Sequence, residues 1–289
     1  MAEEAFVEID WAGRAVRLEV TWLKEGTEAS PLIVFLHEGL GSVAMWRAFP
    51  ERLCRAVGAR GLVYSRPGYG RSTPRAPGEK WAPDFMHRQA FEVLPALLAA
   101  LREQGRWRRE QPLWLVGHSD GGSIALLHAA QAAGTAGAPP AAVAATAAGQ
   151  AAAPAGLIVL APHILVEDLS VASIAKAREA YLGTDLRARL ARYHDDPDSA
   201  FWGWNDAWLA PDFRSWSIEE EIGSIRCPLL AMQGLGDEYG TLEQIRGIAR
   251  RVRHARLLEI PDCGHSPHRD QPEVVIDAVA AFMQRASEG

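Results

Sequence analysis

The chain predicts an α/β fold, a mostly parallel sheet covered by helices on both faces. Three observations carry the prediction. Short apolar runs rich in β-branched residues alternate with longer segments of helical spacing. Most of those runs are apolar throughout, as strands buried on both faces require. One of them runs straight into a helical pattern through Gly-x-Ser-x-Gly.

The elements follow in order. "AVRLEVTWL" (15–23) alternates like an early antiparallel strand with one wetter face. "LIVFLH" (32–37), "GLVYS" (61–65), "LWLVGH" (113–118), "GLIVLAPH" (156–163), "PLLAMQG" (228–234) and "ARLLEI" (255–260) read as central strands. Between them, "FMHRQAFEVLPALLAALREQ" (85–104) has helical spacing with a kink expected at Pro95. "TLEQIRGIARRV" and "PEVVIDAVAAFMQRA" are helices opening on a Thr or Pro suited to a first turn. An Ala/Pro/Gly tract at 134–156 has little side chain to bury and reads as a surface excursion. The stretch 164–222 contains no strand-like run; its helical part and the aromatic "FWGWNDAWLAPDFRSW" predict a small helical cap inserted between two strands.

Bulk properties narrow the chemistry. At 289 residues, 48% hydrophobic, the chain is long enough for one large domain with a modest insertion. A net charge of −6 with no basic run argues against a nucleic-acid partner and makes a small-molecule substrate the default. The start "MAEEAFVEIDW" is not a secretory signal, and no apolar run nears the roughly 18 to 20 residues of a membrane span, so no membrane role is expected. Cys54, Cys227 and Cys263 are odd in number and lack C-x-x-C spacing, which points to reduced thiols in a cytoplasmic protein. No metal-ligand spacing and no Gly-x-Gly-x-x-Gly after the first strand is present, so neither metal nor cofactor is expected. The oligomeric state stays open.

The sharpest feature is "LWLVGHSDGGSIALL" (113–127). A strand ending at Gly-x-Ser-x-Gly and turning into a helix holds the serine in a strained conformation, hydroxyl exposed above the sheet. Side chains at Gly117 or Gly121 would strike the neighbouring backbone. The helix opening at Asp120 turns its free N–H groups toward developing negative charge.

Four motifs in order, "HEGLGS", "YSRPGYGRS", "GHSDGG", and "GLGDEYG" with "DCGHSPH", make the chain resemble the α/β-hydrolase superfamily over nearly its whole length. The resemblance implies an eight-stranded sheet, with a core of 1–163 and 223–289 and a helical cap at 164–222. It also implies the order nucleophile, acid, histidine, which gives Ser119, Asp237 and His265. In chemical terms, an imidazole takes the serine proton during attack, and a carboxylate fixes its tautomer. Oxyanion donors would be the backbone N–H groups of Asp120 and Gly39. Glu238, Glu167 and Asp168 are alternative acids, His268 a competitor to His265, and His37 a structural hydrogen-bonding residue. Where many relatives have His-Gly, this chain has His37-Glu38, which adds a carboxylate near the pocket, expected to act against anionic substrates or to bind a polar group. Glu38, His163, Trp204 and Trp208 are the pocket candidates, with His163 and His194 otherwise ordinary polar residues. Trp202, Trp204, Trp208 and Trp216 are read first as the cap's own core. The expected reaction is hydrolysis of a carboxylic ester through an acyl-enzyme. Alternatives are enol-lactone or carbon–carbon bond hydrolysis as in aromatic degradation, thioester hydrolysis, acyl transfer, or a ligand-binding receptor with little turnover.

Overall fold

The structure is a computed structural model and describes residues 3–23, 26–134 and 152–288. The tract at 134–156 lies mostly outside the described residues.

The first strand went unread in the sequence. β1 (Glu3–Trp11) pairs antiparallel with β2 (Arg14–Leu23) across a two-residue turn in which Ala12 and Gly13 both take positive φ, the geometry that matches strand twist. Its signal was present: Val7, Ile9 and Trp11 are buried and alternate with exposed neighbours. Beyond it come β3 (Leu32–Leu36), α1 (Phe49–Val57) and β4 (Arg60–Tyr64). The helical stretch 85–104 is α2 (Phe85–Arg88), a π-helical turn at Gln89–Val93 and α3 (Leu94–Glu103). The disturbance expected at Pro95 takes this form because a proline has no N–H for the regular ladder and crowds the preceding turn.

β5 (Leu113–His118) leads into α4 (Asp120–Ala132), and β6 (Gly156–Leu160) follows. Between β6 and the next strand the chain is helical: α5 (Asp168–Gly183), α6 (Leu186–Leu190), α7 (Pro197–Trp208) and α8 (Glu219–Ile222), with one β-bridge joining Leu165 and Ser217. β7 (Leu229–Gly234), α9 (Glu243–Arg251), β8 (Arg256–Ile260), α10 (Pro267–Asp270) and α11 (Pro272–Glu288) complete the fold.

The strands form one eight-stranded sheet in the order β1-β2-β4-β3-β5-β6-β7-β8. β1 and β2 are antiparallel; every pairing from β4 to β8 is parallel. β3, β5, β6 and β7 are buried along their whole length, and separate apolar clusters fill the two faces. The carboxyl ends of β5, β7 and β8 therefore open on one edge, where parallel sheets place their sites. In the 164–222 segment, Tyr181 stacks on Phe201 at 3.7 Å and Trp208 packs edge-on to Phe213 at 4.8 Å. Large rings thus supply this segment with its own apolar interior. Among the described residues, no helix is long and apolar enough to cross a membrane.

Candidate active site

The turn at Ser119 is governed by backbone contacts. Ser119 has φ 53 and ψ −122, a conformation that side chains rarely adopt. A Cβ on Gly117 would sit 2.3 Å from the Gly121 carbonyl oxygen, and one on Gly121 would sit 2.1 Å from that of Leu36. Both clashes are with main chain, so neither position can give way cheaply. The Ser119 N–H donates to Leu160 O at 2.9 Å, tying the turn to β6.

The loop after β8 brings His265 to this turn. His265 Nε2 lies 3.0 Å from Ser119 Oγ, and Nδ1 lies 2.8 Å from Asp237 Oδ1. The loop is tied on several sides: the His265 N–H donates to Glu238 Oε2 at 3.2 Å, the Gly264 N–H to Asp270 Oδ2 at 2.9 Å, and His118 Nε2 meets the His265 carbonyl at 2.7 Å. Asp237 follows β7. Its Oδ1 also accepts the Tyr239 and Gly240 N–H groups, and Oδ2 accepts from Gln233 Nε2 at 3.0 Å. Burial alone would raise the Asp237 carboxyl; the bond from His265, that residue's charge and the Tyr239 N–H outweigh it and hold the carboxyl below its ordinary range. An ionised Asp237 fixes the imidazole proton on Nδ1 and leaves the Nε2 lone pair facing the serine.

The other acid candidates are occupied elsewhere. Glu238 holds the His265 backbone, Glu167 binds Thr241 and Gln244, and the exposed Asp168 pairs with Arg214. His268 is buried between Trp46, Phe49 and His118, and neither of its ring nitrogens has a hydrogen-bond partner among the described residues.

The loop after β3 is pinned by its carbonyls. Glu38 O accepts three bonds, from His37 Nδ1 at 2.7 Å, Arg66 Nη2 at 2.9 Å and the Gly41 N–H at 3.0 Å. In a trans peptide the C=O and the following N–H point opposite ways. Fixing the Glu38 carbonyl therefore aims the Gly39 N–H to the other side of the loop. His37 Nε2 accepts from the Arg66 N–H at 3.0 Å, so this ring is a structural strut. Leu40 O is held by His194 Nε2 at 3.0 Å, while His194 Nδ1 accepts the Gly70 N–H at 2.9 Å. His194 thereby joins the helical segment to the loop, a link the sequence reading missed because no local pattern announces it.

Two of the pocket candidates are held by partners of their own. Glu38 does not present a free carboxylate: it pairs with Arg269 at 3.1 Å and lies 3.4 Å from His118 Nδ1. Trp208 is only 1% exposed and directs its indole N–H to Asp120 Oδ1 at 3.2 Å, so it buttresses the site from behind. Trp204 packs directly on Gly39, where a Cβ would lie 2.2 Å from its Nε1. His163 lies beside the imidazole, ring centroids 5.6 Å apart; burial and the neighbouring His265 push it down to about 3, so it is neutral near pH 7. Arg66 and Tyr69, inside the quoted "YSRPGYGRS", were not singled out in the sequence, yet they lie behind the Gly39 loop.

The alpha/beta hydrolase family profile matches residues 33–278. The chain belongs to the alpha/beta hydrolase family. Solved structures of similar fold include an esterase from Thermogutta terrifontis (17% identity, 98% of this chain and 99% of that one, TM-score 0.65). Proline iminopeptidase from Mycobacterium smegmatis is similar too (16%, 98% of each chain, 0.69), as is the enol-lactonase from Burkholderia xenovorans LB400 (19%, 98% and 100%, 0.64). At such identities the likeness is one of fold. No curated protein matches the chain.

Proposed function

We propose that this family member is a serine hydrolase that cleaves a carboxylic ester of a small or medium-sized substrate through an acyl-enzyme. The observation that carries the reading is the continuous relay from a strained Ser119 through His265 to Asp237, with contacts of 3.0 and 2.8 Å. Ser119 Oγ attacks the ester carbonyl carbon while its proton passes to His265 Nε2. The tetrahedral oxyanion is met by the N–H groups of Asp120 and Gly39. Collapse expels the alcohol, which takes the proton from His265. Water then repeats the sequence on the acyl-enzyme, releasing the acid and restoring Ser119. Asp237 stabilises the imidazolium in both halves. The helical segment 164–222 acts as the cap that walls the pocket, with Trp204 over the Gly39 loop.

The test compares the protein with Ser119→Ala on short and medium chromogenic esters. Multiple turnovers by the parent alone are expected. Stabilisation of the parent by ligand with no product formed would instead make the protein a receptor and end the hydrolase reading.

A further inference from the structure

Glu38 serves two loops of the site at once. Its carbonyl fixes the loop that aims the Gly39 N–H, and its carboxylate reaches the loop that carries His265. The ester-cleaving steps above give that carboxylate no part.

Two side chains carry the reach. His118, 1% exposed, places Nδ1 3.4 Å from Glu38 Oε2 and Nε2 2.7 Å from the His265 carbonyl oxygen. A carbonyl oxygen only accepts, so Nε2 is the donor; a carboxylate facing Nδ1 favours a proton there as well and makes Nε2–H the stronger donor. On the other side, Arg269 Nη2 donates to Glu38 Oε1 at 3.1 Å. Arg269 stands four residues beyond His265, in a loop closed by the bond from the Gly264 N–H to Asp270 Oδ2. The carboxylate therefore grips the histidine loop at two points.

The surroundings are shaped for a charged group at this spot. A Cβ on Gly41 would lie 2.4 Å from Glu38 Oε2, so this glycine makes the room in which the carboxylate sits. Burial alone would raise the Glu38 carboxyl; the bond from His118, that ring's charge and the charges of Arg269 and His268 outweigh it and hold the carboxyl well below its ordinary range.

We propose that Glu38 is a positioning residue for the general base: through His118 and Arg269 its carboxylate holds the His265 loop in register with the Gly39 loop, keeping proton transfer and oxyanion donors aligned. The inference rests on the hydrolase reading above and adds a residue to it. A misplacement of about 1 Å, set far from the reacting atoms, can cost on the order of a hundredfold in rate. The carboxylate acts on the base and not on bound substrate, so its effect falls on kcat and leaves KM unchanged.

The experiment measures kcat, KM and thermal midpoint with a short chromogenic ester. Glu38→Ala should lower kcat roughly a hundredfold, and Glu38→Gln, which keeps an acceptor for His118 without the charge, roughly tenfold. His118→Asn, whose shorter amide does not reach His265 O, should also lower kcat at unchanged KM. The double variant Glu38→Ala/His118→Asn should fall only a few-fold below His118→Asn, because the two groups act in series and only the Arg269 branch is left to lose. A merely structural role would lower the midpoint and leave kcat per folded molecule intact. That result, a loss confined to KM, or losses that simply multiply in the double variant would overturn the proposal. Should Glu38→Ala not fold, a parental kcat in Glu38→Gln overturns it equally. A second readout needs no turnover: the proton between His265 Nδ1 and Asp237 should give a low-field proton resonance, assigned by its loss in Asp237→Asn. It should be sharp in the parent, weaker in Glu38→Gln and absent in Glu38→Ala. If the parent cleaves no ester, the hydrolase reading fails, and this resonance decides the positioning role: the same pattern supports it, and a resonance missing from the parent or unmoved in Glu38→Ala refutes it.

Discussion

The carboxyl edge of the sheet and the helical segment between β6 and β7 meet at the same place but are built by different means. At the sheet edge, position is imposed by main chain. Ser119 sits in a turn whose glycines touch carbonyl oxygens, and Asp237 is held by two backbone N–H groups and Gln233. In the helical segment, position comes from side-chain packing, ring against ring, with Trp204 and Trp208 resting on Gly39 and Asp120. Backbone constraints allow one arrangement; apolar packing tolerates many of similar volume. The chemistry should therefore fail abruptly when the edge is altered, and the selectivity should drift when the segment is.

The largest effect expected is at Ser119. Ser119→Gly should remove turnover by a factor on the order of 10⁶, as loss of a nucleophile does. It should also raise stability by about 1 kcal/mol relative to Ser119→Ala, since glycine accepts the φ of 53 without strain. Equal denaturation midpoints for the two variants would show that the turn stores no strain. Next, Asp237→Asn should cost roughly 10²- to 10⁴-fold in kcat with little change in KM, because an amide can no longer fix the imidazole tautomer. A loss confined to KM would remove Asp237 from the relay.

The same division decides what could be read without coordinates. The parallel sheet and the sharp turn were legible because each depends on local backbone rules, apolar runs and glycines at enforced close approaches; the order Ser119, Asp237, His265 came instead from resemblance to a family. β1 was legible too, through its alternation at Val7, Ile9 and Trp11, but that stretch was read only for targeting. Arg66, Tyr69 and His194 were not legible as site residues. Their importance arises from contacts between residues 28 to 154 positions apart, for which the sequence carries no period or spacing. Glu38 was visible as a carboxylate beside the loop, but its pairing was not, because its partner Arg269 lies 231 residues away.

A smaller effect crosses the boundary between the two regions. Gly39→Ala places a methyl group against the Trp204 indole and should lower kcat/KM by about ten- to a hundredfold by displacing the loop. Trp204→Ala makes room for that methyl. The double variant should therefore recover much of the loss, a coupling of about 1 to 3 kcal/mol in the cycle. Strict additivity would place the two groups out of contact during the reaction.

The smallest expected effect is on acid stability, and it bears on one of the struts that join the regions. His194 accepts from the Gly70 N–H through Nδ1 and donates to Leu40 O through Nε2, an arrangement only the neutral ring can make. Burial accordingly holds its pKa below the ordinary histidine value. The sign follows: below about pH 6.5 the unfolded chain takes up a proton that the folded one refuses. Stability is full above that pH and falls as pH drops toward the folded pKa. Buried His37, His163 and His268 act in the same direction. The depressed carboxyls of Asp237 and Glu38 contribute stability that is lost only at lower pH, below about 4. A glutamine at 194 offers both a donor and an acceptor and does not titrate. His194→Gln should thus reduce the slope of unfolding free energy between pH 6.5 and 5 by up to about 1.4 kcal/mol per pH unit. An unchanged slope would mean that the strut releases Gly70 and protonates within the fold, and that the helical segment is not held to the Gly39 loop through this ring.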